Sequence, residues 1–336
     1  MKEMVSDISY SNIGGMLNGC LREVQERAAH SCLPGISSGF KPLDDLTGGF
    51  EKGKVYVIGG RPSMGKEEFM LSMIIDIILE SRRPVLIFST NYMKSNYIQR
   101  LLSIHCDIPT LHLHQGLLES YEWEKVDKED RTLHHAPLFI HGSLDLPLNE
   151  LVETARSCSS EKGTSIIFID CLQMIDFSNE DKKSSEKIAK VMCSLKQLAW
   201  FLDIPIIVGS MLSRGVEYRK GIEGKQPQLM DLANSSYIEG LADVIMMVHR
   251  PEYYHIYTDD QGRDLHGKME ILVKKNNLKP LGSILLDYHQ DTGVVCLSKY
   301  TVKSASKSVS LKELSTGNKS FKSLKEVSDV EQELPF

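Results

Sequence analysis

The most specific chemical signal in the sequence is a short glycine-rich segment that ends in a lysine. It reads Gly60, Arg61, Pro62, Ser63, Met64, Gly65 and Lys66, and it matches the GxxxxGK part of the phosphate-binding loop pattern. Glycines let backbone N–H groups close around phosphate oxygens, a helix start adds partial positive charge, and the lysine reaches the terminal phosphates. Taken alone, the pattern also fits a structural glycine turn. A predicted strand before Gly60 and a predicted helix after Lys66 favour phosphate binding.

A second reactive group stands at the end of an apolar run. Residues 165–170 are mostly β-branched and aromatic, and the run ends in the carboxylate of Asp170. Doubly wound sheets bind their ligands at the carboxyl ends of the strands. We therefore expect Asp170 to hold Mg²⁺ through a water molecule beside the phosphate-binding loop. Without that loop, an ordinary strand-capping aspartate would be the better interpretation.

The sequence also predicts the sheet that brings these groups together. Five short β-branched or aliphatic runs, each followed by a helical pattern, occupy residues 55–60, 84–90, 137–143, 165–170 and 205–210. Such alternation predicts a central, mostly parallel sheet flanked by helices, which is an α/β fold. Residues 186–202 have apolar side chains at helical spacing, so this helix should pack one face on the sheet.

The flanking segments predict three units along the chain. Residues 13–29 form an amphipathic pattern without a partner in the sequence, and residues 1–33 are interpreted as an N-terminal helical segment. The central domain is assigned to residues 34–300, with further strands at 243–249, 268–277 and 282–288, some of them antiparallel. Residues 301–336 are rich in serine and lysine, and such a composition predicts a disordered tail.

Composition narrows the class of protein. With 41% hydrophobic and 25% charged residues, the 336-residue chain is neither collagen-like, wholly disordered nor a membrane protein. A net charge of −6 argues against coating nucleic acid by bulk charge, so any such contact must be local. Seven scattered cysteines suggest neither a disulfide framework nor a zinc site, and the polar N-terminus lacks a signal peptide pattern. We expect a cytoplasmic protein with no membrane partner.

Several motifs follow one another in the order of a known family. Residues 35–40 with 43–49 are similar to the opening motif of the RecA-like superfamily, and residues 61–66 match the phosphate loop of DnaB-type helicases. Further matches in the same order are found at residues 85–89, 169–173 and 238–243. Over residues 35–300 the chain therefore resembles the motor domain of DnaB-type replicative DNA helicases.

The resemblance implies a RecA-like P-loop NTPase fold that uses ATP and Mg²⁺. It also implies a homo-oligomer, a hexameric ring with nucleotide at the subunit interfaces and single-stranded DNA in the central channel. The helix at residues 13–29 falls where the family has a linker helix, which packs on the neighbouring subunit. Too few residues precede it for the family's N-terminal helical collar, which is expected to be missing.

Two departures from the family pattern affect the chain's own nucleotide site. The family has Ser or Thr after the loop lysine, with a hydroxyl that ligates magnesium, whereas this chain has Glu67. A carboxylate about 4–5 Å from a phosphate charge costs roughly 4 kcal/mol at an effective dielectric near 20. The family's catalytic carboxylate corresponds to Asn91, which cannot accept a proton. Lys66 and Asp170 are retained as catalytic residues.

Two further departures affect groups that respond to the γ-phosphate. The family supplies a lysine and an arginine finger to the neighbouring site; Lys275 is retained, whereas Asn277 stands at the arginine position. Met211 replaces the glutamine that senses the γ-phosphate. The substitutions together predict impaired ATP hydrolysis.

The DNA-binding loop of the family is altered as well. Its pattern D-L-R-E-S-G corresponds here to D-L-A-N-S-S at residues 231–236, so the arginine and the glycine are absent. The basic residues that remain nearby are Arg214, Arg219, Lys220 and Lys225. They can contact a phosphate backbone, or they can form an ordinary solvated surface.

The last eight residues form an acidic stretch that ends in Leu334, Pro335 and Phe336. This end resembles the tip of bacterial single-stranded-DNA-binding proteins, in which a terminal Phe enters an apolar pocket. It predicts docking of replication proteins, and the alternative is an end without function.

Three functional hypotheses follow. The first is a DnaB-helicase-like ATP-binding protein of DNA replication with impaired hydrolysis and altered DNA-binding loops, acting as a regulatory or structural component. The second is an active ATP-dependent replicative helicase that unwinds duplex DNA as a ring hexamer. The third is a non-enzymatic scaffold that docks replication proteins through its C-terminal tip.

Overall fold

The frame of the protein is a large β-sheet. A computed structural model describes residues 13–30, 33–90, 93–176, 184–232, 235–277 and 280–299 of the chain. Its strands, with two short additional ones, are β1 (Val55–Gly60), β2 (Val85–Ser89), β3 (Leu138–Gly142), β4 (Leu146–Pro147), β5 (Ile166–Asp170), β6 (Ile175–Asp176), β7 (Ile206–Met211), β8 (Val244–His249), β9 (Lys268–Asn276), β10 (Gly282–Tyr288) and β11 (Val295–Leu297).

The nine strands of this sheet have the order β11-β10-β9-β8-β1-β7-β5-β2-β3. The strands from β8 to β3 run parallel, whereas β9, β10 and β11 are antiparallel to their neighbours. The predicted central, mostly parallel sheet is confirmed, including its antiparallel extension. The sequence did not predict β11 or the small β4–β6 pair.

Helices connect the strands. They are α1 (Ile13–His30), α2 (Lys41–Thr47), α3 (Lys66–Leu79), α4 (Lys94–Cys106), α5 (Thr110–Gln115), α6 (Ser120–His134), α7 (Leu148–Lys162), α8 (Ser184–Leu202), α9 (Gly215–Tyr218), α10 (Ile222–Lys225) and α11 (Ser235–Leu241). The helix predicted at residues 186–202 corresponds to α8, which begins two residues earlier.

The core consists of two apolar layers, one on each face of the sheet. Helices α3 and α4 cover one face, where Phe69, Ile74 and Ile77 of α3 are fully buried. Helices α7, α8 and α11 cover the other face, where Met192 and Leu195 of α8 are fully buried. Strands buried on both faces are apolar throughout, as in β1, and this explains why short continuous apolar runs predicted them correctly.

Helix α1 keeps apolar side chains on its surface. Ile13, Met16, Leu17, Leu21 and Val24 are all exposed. The helix therefore lacks a partner for these side chains among the described residues. Residues 1–12 and the tail at 301–336, with the tip residues Leu334, Pro335 and Phe336, lie outside the described part of the chain.

None of the helices in the described part of the chain has the length and apolar character needed to cross a membrane.

The buried face of α3 predicts a large stability effect. Ile74 is fully buried between α3 and the sheet, so Ile74→Ala should lower the free energy of unfolding by about 2–5 kcal/mol through lost burial and a residual cavity. Exposed Leu111 provides the control, because Leu111→Ala should change this free energy by no more than about 0.5 kcal/mol. Urea denaturation measures both, and equal losses would contradict the assigned core.

Candidate functional site

Four parallel strands bring the predicted site residues to one edge of the sheet. Gly60 at the end of β1 pairs with Met211 at the end of β7, and Ser89 at the end of β2 pairs with Asp170 at the end of β5. All four residues therefore lie at the carboxyl ends of their strands, where ligands bind in open α/β sheets. The sequence placed Asp170 and the glycine-rich loop at this edge correctly.

The loop after β1 has the backbone shape that its residues predict. Gly65 has φ +82°, a conformation that other residues rarely adopt, and a Cβ at this position would lie 2.3 Å from the end of the Met269 side chain, so a substitution here would be strained. Ser63 also has a positive φ of +63°. Helix α3 begins at Lys66, directly after the loop, so its first backbone N–H groups face the site.

The loop lysine is held in a buried ion pair. The Lys66 Nζ donates to Asp170 Oδ1, and the two residues are only 9% and 5% exposed. Burying one such charge without the other would be strongly unfavourable, so each holds its partner in place. Gly209 of β7 leaves the room for this pair, because a Cβ there would lie 2.6 Å from Asp170 Oδ1 and 2.8 Å from Lys66 Nζ.

Thr90 fixes the backbone at Asp170, a role that the sequence did not indicate. Its hydroxyl donates to the Asp170 carbonyl oxygen at 2.7 Å and accepts from the Cys171 N–H at 2.9 Å. The ends of β2 and β5 are thereby joined beyond the regular ladder. Asn91, the predicted substitute for a catalytic carboxylate, follows Thr90 but lies outside the described residues.

The glutamate after the loop lysine is paired with an arginine that sequence reasoning missed. Arg100 of α4 donates through Nη1 to Glu67 Oε2 at 2.6 Å and through Nη2 to Glu68 Oε1. All three side chains are largely buried. Arg100 therefore offsets part of the negative charge that Glu67 brings to the start of α3.

The same environment changes the acidity of Glu67. Burial raises the pKa of the Glu67 carboxyl above its ordinary value, and the nearby charge of Asp170 raises it further. Arg100 and Lys66 oppose this rise in pKa. Because desolvation has the largest effect, protonation of Glu67 is easier than in water.

Met211 stands where the resemblance implies a glutamine, and a glutamine amide from another element lies beside it. The Met211 N–H donates to Gln173 Oε1 at 3.0 Å, and Gln173 Nε2 donates to Ser210 Oγ at 2.9 Å. The Gln173 side chain is therefore tied to β7 by two hydrogen bonds. The Met211 side chain is exposed at the mouth of the site.

An open cleft of about 600 Å³ adjoins the loop. Its walls are Gly60, Arg61, Pro62, Ser63, Gly65, Lys66, Glu67, Glu68, Arg100, Met211 and Tyr288. Arg250, which the sequence did not single out, supports the loop by donating to the Ser63 carbonyl at 3.0 Å. Its guanidinium also lies 4.5 Å from the centroid of the Tyr288 ring. Met64 of the loop is buried in the core instead of facing the cleft.

Lys275 and Asn277 lie at the opposite edge of the sheet. Strand β9 is antiparallel to β8, so its last residue, Asn276, pairs with Val244 at the beginning of β8. Lys275 Nζ donates to the carbonyl oxygens of Glu239 and Ala242 at the end of α11. Within one chain, neither Lys275 nor exposed Asn277 can belong to the same nucleotide site as Lys66. Their role towards the site of a neighbouring subunit stays a prediction.

The four predicted DNA-binding residues fall into two groups. Arg219 donates to the Gly224 and Gln226 carbonyls and to Asp231 Oδ2, and Lys225 donates to the Glu217 carbonyl at 2.7 Å. These two side chains organise their own loop. Arg214 and Lys220 are exposed instead, so only they present their charge outward.

Residues 35–294 match the family model described as the DnaB-like helicase C terminal domain. A probable replicative DNA helicase of Trieres chinensis is 32% identical over 271 residues, which cover 80% of this chain and 58% of that protein. The replicative DNA helicase DnaB of Geobacillus stearothermophilus is 29% identical over 257 residues, covering 76% of this chain and 55% of that protein. The chain thus spans less than two thirds of the length of either relative.

Solved structures show the same fold. The structure of an isolated ATPase domain matches with a TM-score of 0.78 and 25% identity, covering 87% of this chain and all of that domain. A structure that concerns a DnaB-like replicative helicase and its interactions with primase matches with a TM-score of 0.75 and 25% identity, covering 88% of this chain and 68% of that chain. The sheet described above is therefore of the RecA-like type.

The close approach at Gly209 predicts a specific loss of ligand binding. Gly209→Ala places a methyl group against both Lys66 Nζ and Asp170 Oδ1, so the pair must shift, at about 1–3 kcal/mol of overpacking. Isothermal titration calorimetry should show weaker binding of ATP to this variant. Gly240→Ala is the matched control, since a Cβ there meets nothing within 4 Å, and it should bind as the unchanged protein does. Unaltered binding by Gly209→Ala would contradict the assigned site.

Proposed function

The chain belongs to the DnaB-like helicase C-terminal domain family of replicative DNA helicases, and from this premise we propose that it binds ATP but hydrolyses it poorly. In this proposal it acts in DNA replication as a regulatory or structural component, not as the motor. The supporting feature is a phosphate-binding loop that keeps the GxxxxGK pattern through Lys66 but is followed by the Glu67 carboxylate where the family pattern has a hydroxyl. Phosphate binding depends on the loop and Lys66, whereas hydrolysis needs a general base and an arginine finger as well.

ATP and Mg²⁺ fit the residues that form the cleft. The glycine-rich loop, the start of α3 and Lys66 supply the N–H groups and the cation that recognise phosphates. Lys66 would bind the terminal phosphates, and Asp170 would hold Mg²⁺ through water. When bound, Mg²⁺ neutralises charge on the phosphate oxygens. The Lys66–Asp170 pair keeps both groups at this edge of the sheet before nucleotide binds.

The ion pair between Glu67 and Arg100 is the observation that carries the proposal. A carboxylate at position 67 cannot donate a hydroxyl ligand, and its charge repels a triphosphate by roughly 4 kcal/mol at an effective dielectric near 20. Arg100 offsets part of this repulsion, because it lies 2.6 Å from Glu67 Oε2. The chain therefore retains nucleotide binding at reduced affinity, without the hydroxyl that the family pattern offers to magnesium.

Hydrolysis is weakened further by the substituted catalytic positions. Asn91 cannot serve as the general base, and loss of such a base typically costs about 10²- to 10⁴-fold in rate. Asn277 cannot replace an arginine finger, which is typically worth about 10³- to 10⁵-fold. Both effects act on the reaction step and leave phosphate recognition by Lys66 in place.

Assembly and partners belong to the proposal as well. The exposed apolar side chains of α1 fit a helix that packs on a neighbouring subunit, as expected for a homo-oligomeric ring, most simply a hexamer. Single-stranded DNA would then pass through the channel of the ring. Replication proteins would dock on the tip formed by Leu334, Pro335 and Phe336.

An ATPase assay with and without single-stranded DNA tests the main proposal. Turnover is expected to be at least ~100-fold below the roughly 10 s⁻¹ of a median enzyme, because a base and a finger are missing. ATP binding measured on the same sample must remain detectable. Turnover near one per second or faster would contradict the proposal and support an active helicase.

Glu67 makes ATP affinity dependent on pH. Over an experimental range from pH 8 down to pH 5.5, the raised pKa of Glu67 means that this carboxyl gains a proton more readily than a free glutamate does, and the neutral carboxyl does not repel the triphosphate. ATP affinity should therefore rise at lower pH, and Glu67→Gln should bind ATP about 10-fold more tightly at pH 8 with a flatter pH profile.

Calorimetric titration of ATP into Glu67→Gln and into the unchanged protein over this pH range measures the effect. Protonation of the nucleotide itself is the same in both experiments, so it cancels in the difference between the two affinities. Glu124→Gln, on the exposed surface of α6, is the control and should follow the unchanged protein. Identical pH profiles for Glu67→Gln and the unchanged protein would contradict the electrostatic role of Glu67.

A further inference from the structure

Helix α8 ends in two adjacent aromatic side chains that lie in water. Trp200 is 81% exposed and Phe201 is 68% exposed, in the last turn of the helix. The helix is held on the sheet by other residues, such as fully buried Met192 and Leu195, so its packing does not require the two rings. Single exposed apolar side chains are ordinary, whereas large neighbouring ones form a patch that is typical of an interaction site.

The rings lie at the edge of the sheet where the parallel strands begin. Helix α8 leads into β7, and the Pro205 carbonyl before β7 accepts from the Ile167 N–H at 3.1 Å. The Pro84 carbonyl before β2 accepts from the Ser165 N–H at 2.8 Å. The beginnings of β7, β5 and β2 are therefore neighbours and lie within about 10 Å along this edge. The nucleotide cleft is at the opposite edge.

Exposed cations lie along the same edge. Arg82 and Arg83 precede β2, and Lys162 is in the last turn of α7, before β5. None of these three side chains forms an ion pair with another residue that the structure describes. The Asp203 carboxylate, which follows α8, is paired with Lys52 at 2.9 Å. We call Trp200 and Phe201, together with these three unpaired cations, the aromatic edge surface.

The charges around the rings favour an acidic ligand. The Arg156 guanidinium lies 4.8 Å from the centroid of the Phe201 ring, so a further cation adjoins the aromatic pair. Of the exposed carboxylates nearby, Glu161 accepts a hydrogen bond from the Ser157 hydroxyl at 2.7 Å, and Glu80 remains. Cations here also offset the partial negative charge of helix ends, but that role needs no aromatic neighbours.

The chain itself contains a segment with the complementary chemistry. Residues 329–336, here called the acidic segment, have the sequence D-V-E-Q-E-L-P-F, with three carboxylates and no cation. Leu334 and Phe336 are its large apolar side chains. An apolar group on aromatic rings, with carboxylates facing cations around them, combines burial with electrostatic complementarity.

The chain leaves the sheet in the direction of this edge. Strand β11 is antiparallel to β10, and β10 is antiparallel to β9, so β11 runs like β9 towards the edge where β8 begins. Strands β11 and β7 are five positions apart, about 24 Å across the sheet. A flexible chain of 29 residues, the length of residues 300–328, has a root-mean-square end-to-end distance of about 30 Å. The acidic segment can therefore reach the surface of its own chain.

We propose that the acidic segment docks on the aromatic edge surface of the same chain. Leu334 and Phe336 lie against the two rings, and the carboxylates face the three cations. A protein that binds the acidic segment must then compete with this surface. The inference goes beyond the proposed function, because it concerns neither ATP binding nor hydrolysis.

Trp200 can report the contact, because the chain has only two tryptophans. In the full chain with Trp123→Phe, all tryptophan emission comes from Trp200, and acrylamide quenching measures the accessibility of its ring. Adding Phe336→Ala should increase the quenching, because loss of a buried phenylalanine weakens docking by roughly 10- to 150-fold. Raising the salt to 1 M should also increase it, since the Debye length falls to about 3 Å.

The control is the full chain with Trp200→Phe, in which Trp123 is the reporter. Trp123 is 52% exposed on α6, so its quenching should be the same with and without Phe336→Ala. A change at Trp123 of the same size as that at Trp200 would mean that Phe336→Ala alters the whole fold, and it would contradict a local contact.

A labelled peptide with the sequence of the acidic segment tests the surface separately. Its receptor is the full chain with Phe336→Ala, so that the tethered segment, at an effective concentration of roughly 1 mM, does not compete. Fluorescence anisotropy should show that adding Trp200→Ala weakens peptide binding by about 10-fold or more. Tyr121→Ala is the matched control, because Tyr121 is a 53% exposed aromatic residue on α6, and it should leave the affinity unchanged.

Equal quenching of Trp200 with and without Phe336→Ala would overturn the inference, and so would equal peptide binding by the Trp200→Ala receptor. Protection of Trp200 that is independent of the segment and lost on dilution would assign the surface to a second copy of the chain. Protection that needs the segment but is lost on dilution would place the contact between two chains, which also contradicts docking within one chain. ATP binding is measured separately, so failure here leaves the proposed function standing.

Discussion

The buried ion pair between Lys66 and Asp170 is the interaction on which the rest of the site depends. Two charges at the edge of a sheet are tolerated out of water because each has the other as its partner. The pair requires β1, β5 and β7 to be adjacent, Gly209 to lack a side chain, and Thr90 to fix the backbone at Asp170. A phosphate that enters the cleft must compete with Asp170 for the lysine.

Glu67 changes the electrostatic balance around this pair. In the immediate cluster, the cations of Lys66 and Arg100 face the carboxylates of Asp170, Glu67 and Glu68. A triphosphate is thus bound less favourably in this cleft than in one where Ser or Thr follows the loop lysine. Burial and the charge of Asp170 both raise the pKa of Glu67, so its charged form is less favourable here than in water. The ion pair with Arg100 lowers the electrostatic cost that Glu67 brings to the cleft, which explains how the loop can remain a binding site.

The sequence predicted features that depend on local pattern and missed those that depend on distant contacts. Strand β1 was predicted with its observed bounds because it is apolar on both faces and bounded by glycines. Arg100 could not be recognised, since its partners Glu67 and Glu68 lie on another helix and no local pattern connects them. The internal use of Arg219 was missed for the same reason, because composition does not tell an organising cation from an outward one.

A crystal structure of the full chain with Mg²⁺ and a non-hydrolysable ATP analogue tests the central claim most directly. We predict phosphates bound by the glycine-rich loop and Lys66, with Glu67 still paired to Arg100. We expect neither a carboxylate in the position of a general base nor a neighbouring subunit's guanidinium at the γ-phosphate. An acidic side chain together with a neighbour's guanidinium at that phosphate would contradict this prediction.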